Sequence, residues 1–335
     1  MRSTHLTFFA IALGLIVAGC SSPPKLDARI ELTADQGNSA QVLLPDSIVP
    51  LLEKDWAHGE QSCSVTPDNA VDVYQHSATS YILRVSKCIS FEAPFIYLLI
   101  GDDKVLLVDT GPTDDAAVLP LYQIVNELVL AQTGGESRQW LVVHSHSHSD
   151  HYNGDALLQG QPNITLVSPK ADLMNEYFGF DRGAQGQANI ELGNRSLSVL
   201  PIPGHQEESI ALYDPETQWL ITGDTLYPGL IYVKHWQDYR DSVHRLYQFT
   251  QTHPVSAVLG AHIEMTTTPG LYYPIGTLYQ PNELPLPLSV QALALLDKQL
   301  QSTAQPSEIT FDRFVVMPMT ALQIQLSNSA RLLSQ

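Results

Sequence analysis

Four histidines and one aspartate fall within eight residues: His144, His146, His148, Asp150 and His151. Imidazole nitrogen and carboxylate oxygen, with no thiol among them, are borderline donors that suit zinc and, less selectively, iron or manganese. A lone histidine is usually structural, but chance is a poor explanation for this density. The tract also follows directly on the apolar run 140–143 and precedes Asn153-Gly154-Asp155, a helix-start pattern. Metal ligation is the chemistry that these residue types at this spacing point to.

Such ligands need a rigid frame. The runs 81–85, 95–100 and 105–108 are β-rich, and Gly101-Asp102-Asp103-Lys104 between the last two signals a hairpin. A helical stretch at 118–131, closed by Gly134-Gly135, leads to the strand 140–143 that feeds the histidines. A second half follows the same plan. It has a hairpin (189–192 and 197–202, turning at Gly193-Asn194), strands at 210–213 and 219–222, a helix at 239–252 and a strand at 257–259. Strand and helix alternation of this kind is the α/β pattern, and ligands on loops at strand ends can converge on one edge of a sheet. The tail adds a Tyr- and Pro-rich loop at 266–287, a helix at 288–301 and a β-like run at 309–317, and no solenoid repeat is visible.

His146-x-His148-x-Asp150-His151 resembles the signature of the metallo-β-lactamase superfamily. The remaining motifs of that family occur in its order: Asp109-Thr110-Gly111, Pro203-Gly204-His205, Thr222-Gly223-Asp224 and Gly260-Ala261-His262. The resemblance covers residues 80–262 and implies an αββα sandwich, two sheets face to face with helices outside. It also implies two zinc ions per chain, with iron or manganese as alternatives. His146, His148 and His205 would hold one ion, Asp150, His151 and His262 the other, and Asp224 would bridge them, with Asp109 supporting. Counting back from Asp150-His151 leaves His144 outside the set, as a strand-end residue or an orienter of a ligand. His58, His76, His235, His244 and His253 match no motif.

The activity implied is hydrolysis of an ester, lactone, thioester or phosphoester of a small substrate. Water shared between two metal ions is acidified to near neutrality, and Asp150 would orient it and carry its proton to the leaving group. Asp224 matches the glyoxalase II, lactonase and phosphodiesterase pattern, whereas many zinc β-lactamases carry Cys there, which makes β-lactam hydrolysis a lesser alternative. The flavodiiron branch places Glu where this chain has His148. A mononuclear iron dioxygenase of the persulfide dioxygenase type is the rival from another enzyme class, and a metal-binding surface lipoprotein without catalysis is a third reading. Tyr227, Tyr232, Tyr272 and Tyr273 are candidate walls of the substrate pocket, since tyrosine offers an apolar face and a polar tip.

The N-terminus carries Arg2 and then an apolar stretch, 6–18, too short to span a bilayer. Val17-Ala18-Gly19-Cys20 resembles the bacterial lipobox, in which the Cys is diacylated and becomes the first mature residue. Ser21 after it resembles lipoproteins of the outer membrane, so the expected location is the periplasmic face of that membrane, on a lipid anchor at Cys20. The expected division is a signal peptide at 1–19, tether and extension at 20–75, a core at 76–265 and a C-terminal part at 266–335 packing on the core. Loss of residues 1–19 leaves 16 basic against 35 acidic residues. That surplus repels polyanions and argues against a nucleic-acid partner; the expected partner is a small-molecule substrate. In an oxidising compartment Cys63 and Cys88 are a candidate disulfide.

Overall fold

The structure is a computed structural model that describes residues 30–32, 40–42, 49–64, 66, 69–180 and 186–334. The expected leader and the lipid-bearing Cys20 lie outside these residues. Strands β1 (Ile30–Leu32) and β2 (Ala40–Val42) pair with each other.

The first sheet is built from β3 (Val71–Ser77), β4 (Ser80–Val85), β5 (Phe95–Ile100), β6 (Lys104–Val108), β7 (Gln139–Val143) and β8 (Ile164–Leu166), adjacent in sequence order. Pairing is antiparallel from β3 to β6 and parallel from β6 to β8. Helix α1 (Leu121–Gln132) makes the crossover from β6 to β7, as a parallel pair requires. The short helices α2 (Ser149–Tyr152) and α3 (Asp155–Leu158) and then α4 (Ala171–Phe178) follow the histidine tract.

The second sheet has the order β14-β12-β11-β10-β9, from β9 (Ala188–Glu191), β10 (Ser196–Pro201), β11 (Ile210–Asp214), β12 (Trp219–Gly223) and β14 (Ala257–Gly260). Between the last two lie β13 (Leu230–Val233) and α5 (Trp236–Thr250). After them come α6 (Val290–Ser302), whose N-cap Ser289 hydroxyl accepts Ala292 N–H, then β15 (Ile309–Thr310), β16 (Val315–Pro318) and α7 (Ala321–Ser334). β13, β16 and β15 form a small third sheet.

Alternation along the strands decides the layers. Leu106 and Val108 join Leu197, Val199, Ile221 and Leu259 in the core between the sheets, while Val105 and Leu107 face Ile124, Val125 and Leu128 of α1. On the far side, Ala211, Tyr213 and Leu220 meet Tyr239 and Val243 of α5 and Leu293 and Leu296 of α6. The result is helix, sheet, sheet, helix, the expected αββα sandwich of the metallo-β-lactamase fold.

Several elements depart from the sequence reading. The first sheet begins at Val71, ahead of the expected core boundary at 76, because β3 pairs along its length with β4. The single β-like run expected at 309–317 is two strands that meet antiparallel. α7 was not expected: residues 321–334 are Gln- and Ser-rich and offer weak apolar periodicity.

Cys63 and Cys88 are disulfide-bonded, with Cα atoms 5.2 Å apart across 25 residues of sequence. The bond ties the extension to the loop that follows β4. Reduction should therefore destabilise the protein by about 3.5 kcal/mol, the loop-closure value for this span, seen as a lower melting temperature in reductant.

Candidate metal centre

All the candidate ligands sit at strand ends on one edge of the sandwich. His146, His148, Asp150 and His151 follow β7, His205 follows β10, Asp224 follows β12 and His262 follows β14. Two glycines let these loops close up. Gly223 has φ 51°, and a Cβ there would lie 2.7 Å from Ser145 Cβ; at Gly204 it would lie 2.5 Å from Tyr239 Cα. Both positions adjoin a ligand, so a side chain at either would displace the metal site.

The side chains converge as two groups of potential metal ligands, His146, His148, His205 and Asp224 in one, Asp150, His151 and His262 in the other. Asp224 stands between them. Its Oδ2 is 3.7 Å from His146 Nε2 and 3.6 Å from His205 Nε2, while its Oδ1 is 3.3 Å from His262 Nε2 and 3.7 Å from His151 Nε2. His205 Nε2 lies 3.1 Å from His148 Nδ1, and Asp150 Oδ2 lies 3.1 and 3.3 Å from His151 Nε2 and His262 Nε2. Donors on a tetrahedral ion with bonds of about 2.0–2.1 Å are separated by about 3.3 Å, so these spacings fit ligands of a common cation. Among the described residues, His146 Nε2 and Asp224 Oδ1 are buried without a hydrogen-bond partner. Bare lone pairs are costly to bury, and a cation would satisfy both.

The opposite ring nitrogens are held by the protein, which fixes each ring's orientation. His205 Nδ1 donates to Tyr232 O at 2.7 Å, His262 Nδ1 to Glu92 O at 2.9 Å and His151 Nδ1 to Asp109 Oδ2 at 2.8 Å. His146 Nδ1 is 3.1 Å from Ser145 Oγ, which donates in turn to Asp109 Oδ2 at 2.9 Å. The Gln206 side-chain amide lies 2.6 Å from His148 Nε2.

Asp109 carries much of this order. It is buried with φ 69°, a left-handed conformation that Asp tolerates better than most residues, and its Oδ1 also accepts Ser145 N–H at 2.7 Å. Asp109→Asn should lower metal affinity about 10–100-fold, the usual effect of losing a carboxylate that orients a ligating histidine. Competition against a chromophoric chelator reads this directly.

Electrostatics differ between the groups. Burial, then the positive charge of neighbouring histidines, holds His146 well below the ordinary histidine range and brings His148 down to about 3. Burial pushes against charge at His151 and His262 too, but Asp150 and Asp224 outweigh it and raise both. Both aspartates lie well below the usual carboxylate range: burial opposes this, and the histidines beside them prevail. The first group therefore offers neutral imidazoles, as cation ligation needs, while His151 and His262, beside the carboxylates, favour a proton that a bound cation would displace.

A cavity of about 470 Å3 opens over the ligands, lined also by Glu92, Ser147, Ser149, Tyr227, Tyr232, Glu264, Met319 and Ser327. Among the described residues no lysine or arginine lines it. Of the four tyrosines expected there, Tyr227 and Tyr232 line it. The Tyr227 hydroxyl is turned away, donating to Leu230 O at 2.5 Å. Tyr272 and Tyr273 correct the expectation. They lie on the adjoining loop and are not among the lining residues: Tyr272 is exposed, paired in β fashion with Met265, and Tyr273 Oη accepts Asn282 N–H at 2.9 Å.

His144 is held apart from the ligands: Nδ1 is 3.0 Å from Val167 O and Nε2 is 2.8 Å from Asp155 Oδ1. His235 and His244 meet Glu207 and Asp297 instead. Sequence reasoning missed Glu208, which is buried and accepts both N–H and hydroxyl of Ser147, bracing the histidine tract. The available signal was Gln206-Glu207-Glu208, three polar residues directly after His205 and next to a buried strand. Glu92 and Glu264 were also missed; nothing local marks Glu92, which reaches the site from the loop after β4.

The family model described as Metallo-beta-lactamase superfamily matches residues 89–251. Over that span, which holds the histidine tract, His205 and Asp224, the chain is similar to the metallo-beta-lactamase superfamily. It is similar to a hydroxyacylglutathione hydrolase of Anaeromyxobacter dehalogenans, 31% identical over 136 residues, covering 40% of this chain and 46% of that protein. It is also similar to acyl-coenzyme A thioesterase MBLAC2 of Gallus gallus, 29% identical over 209 residues, 53% of this chain and 75% of that one. The chain thus spans about half the length of the first of these relatives. Among solved structures, a metallo-beta-lactamase from Pontibacter korlensis aligns with TM-score 0.42 and 16% identity, over 70% of this chain and all of that one.

Proposed function

We propose that this protein is a dinuclear zinc hydrolase that cleaves an ester or thioester of a small substrate, with lactones and phosphoesters as further candidates. The observation that carries the reading is Asp224, whose two oxygens each face a different histidine group. Metal ions held there would supply Lewis acidity, polarising the scissile carbonyl and acidifying water. Asp150 lines the cavity, and its carboxylate would receive the proton of the attacking water and return it to the leaving group. His205 and His262, each locked by a backbone carbonyl, keep the ligand frame from relaxing as charge develops.

The relatives named as hydroxyacylglutathione hydrolase and acyl-coenzyme A thioesterase favour acyl transfer to water. Among the described residues the cavity lining nonetheless has no cation for a polyanionic leaving group, and the nearby Lys234 is bound to both oxygens of Glu207 at 2.9 Å. Neutral or cationic acyl substrates fit this lining better than coenzyme A conjugates. The sequence reading of Cys20 as a lipidated residue completes the proposal: an enzyme anchored in the cell envelope, on the periplasmic face of the outer membrane. Mass analysis of the mature N-terminal peptide tests the anchor.

Metal analysis of purified protein with a panel of esters, thioesters, lactones, phosphodiesters and β-lactams tests the activity. Two zinc per chain with turnover of a neutral ester or thioester is the expected result. One iron per chain with oxygen uptake would establish the mononuclear dioxygenase instead.

A further inference from the structure

Residues 265–282 contain no charged side chain, although the whole chain carries 17 basic and 35 acidic residues. Within this stretch Leu271, Tyr272, Ile275, Leu278 and Tyr279 are large, apolar and exposed, with Ile275 at 65% and Leu271 at 54%. Five such residues within nine positions make a concentrated patch, where a soluble surface ordinarily scatters them.

The loop is held in place at both ends. Thr266 pairs with Glu283, Thr267 N–H donates to Asn282 O at 2.9 Å, and Glu283 is bound to Arg84. Its apolar side chains are therefore presented on a fixed base, and their exposure does not come from a frayed segment. It is also tied to two other parts of the molecule. Tyr273 N–H donates to Glu264 O at 2.8 Å, and Glu264 lines the cavity over the ligands. Tyr279 pairs with Gly59, and Gln280 N–H donates to His58 O at 2.9 Å, so the chain that runs back toward Cys20 enters the body beside the patch.

We infer that this loop docks on the surface of a lipid bilayer, placing the mouth of the metal-site cavity against the lipid headgroups. Leucine and isoleucine would enter the acyl boundary, and the tyrosines would sit at headgroup depth with their hydroxyls in water. Absence of charge over the whole stretch removes the cost of desolvating charged side chains on insertion, and the loop itself meets no repulsion at an anionic surface. The position beside the anchor-bearing segment agrees with the same occupant. The inference rests on the loop and stands whether or not the hydrolase reading does.

The test uses the exported chain from residue 20 onward with Cys20→Ser, which lacks the lipid and retains every described residue. It is sedimented with phosphatidylcholine vesicles and with vesicles containing phosphatidylglycerol. Binding is expected on the first, weaker on the second, and strengthened on the second by salt, since the acidic body is repelled by anionic lipid. The double variant Leu271→Asp/Ile275→Asp should lose at least about tenfold in partition, with unchanged melting temperature and metal content; Ile275→Asn gives the milder version of the same loss. Equal partition of variant and parent would overturn the inference, as would binding that requires anionic lipid and vanishes with salt. A parent that ignores vesicles but elutes as a dimer, with a monomeric variant, would assign the patch to a second copy of the chain and overturn it too.

Discussion

Asp224→Ala is expected to abolish hydrolysis and strip the protein of metal, while His144→Ala leaves two metal ions in place. The contrast is sharp because both residues are buried but they differ in what they face. Asp224 contributes one oxygen to each histidine group, so its loss removes a donor from both at once and leaves neighbouring imidazoles without the carboxylate that balances a bound cation. Lewis-acid stabilisation of several kcal/mol, about 4, corresponds to about 10³-fold in rate. A fall of at least that size in kcat/KM, with metal content below one ion per chain, is the expected outcome. His144 faces Val167 O and Asp155, so its replacement costs stability through a lost buried hydrogen bond and leaves the ligands untouched. Equal metal loss in both variants would show that the ligand register begins at His144.

Glu283→Gln is expected to destabilise the protein by about 3–5 kcal/mol. The Glu283 carboxylate receives Arg84 Nη1 at 2.6 Å and Nη2 at 2.7 Å, with Lys87 Nζ at 3.4 Å, and all three side chains are at most 3% exposed. Removing its charge leaves Arg84 and Lys87 buried without the carboxylate that faces both. Burial foremost, with the charge of Arg84 next, already brings the Lys87 amine down to about 8. Burial alone would raise Glu283, but Arg84 and its hydrogen bonds, with His58 and Lys87, bring it down to about 2.

The sign with pH follows. A carboxylate with a lower pKa in the folded state binds fewer protons there, so its contribution is fully present above the unfolded value and disappears as pH falls through the folded one. The shift from 4.5 to about 2 corresponds to about 3 kcal/mol. Denaturant titrations of the parent should lose stability between about pH 5 and pH 2, and Glu283→Gln should flatten that slope. Because Glu283 anchors one end of the exposed loop, the variant should also expose residues 266–283 to proteolysis first.

The sequence alone determined the catalytic vocabulary of this protein. His146, His148, Asp150 and His151 are adjacent, and their types restrict the chemistry to metal ligation before any fold is known. The core strands β4 to β7 were legible for a similar reason: strands buried on both faces appear as continuous apolar runs, and a helix of 12 residues between two of them dictates a parallel crossover. The edge strands β3 and β8 were not, because a half-covered or three-residue strand has too little pattern to separate it from a loop.

Only the tertiary structure decided how those ligands are held and what surrounds them. Asp109 reaches His151 across 42 residues, Glu208 reaches Ser147 across 61, and the Glu92 carbonyl reaches His262 across 170. Hydrogen bonds form between neighbours in space, and the chain writes no periodic signal for partners so far apart. Placement of the tyrosines was decided the same way: four were candidates by type, and Tyr227 and Tyr232 line the cavity while Tyr272 and Tyr273 lie on the adjoining loop. Residue type names the chemistry a side chain can do. The packing of sheets and loops decides which side chains meet to do it.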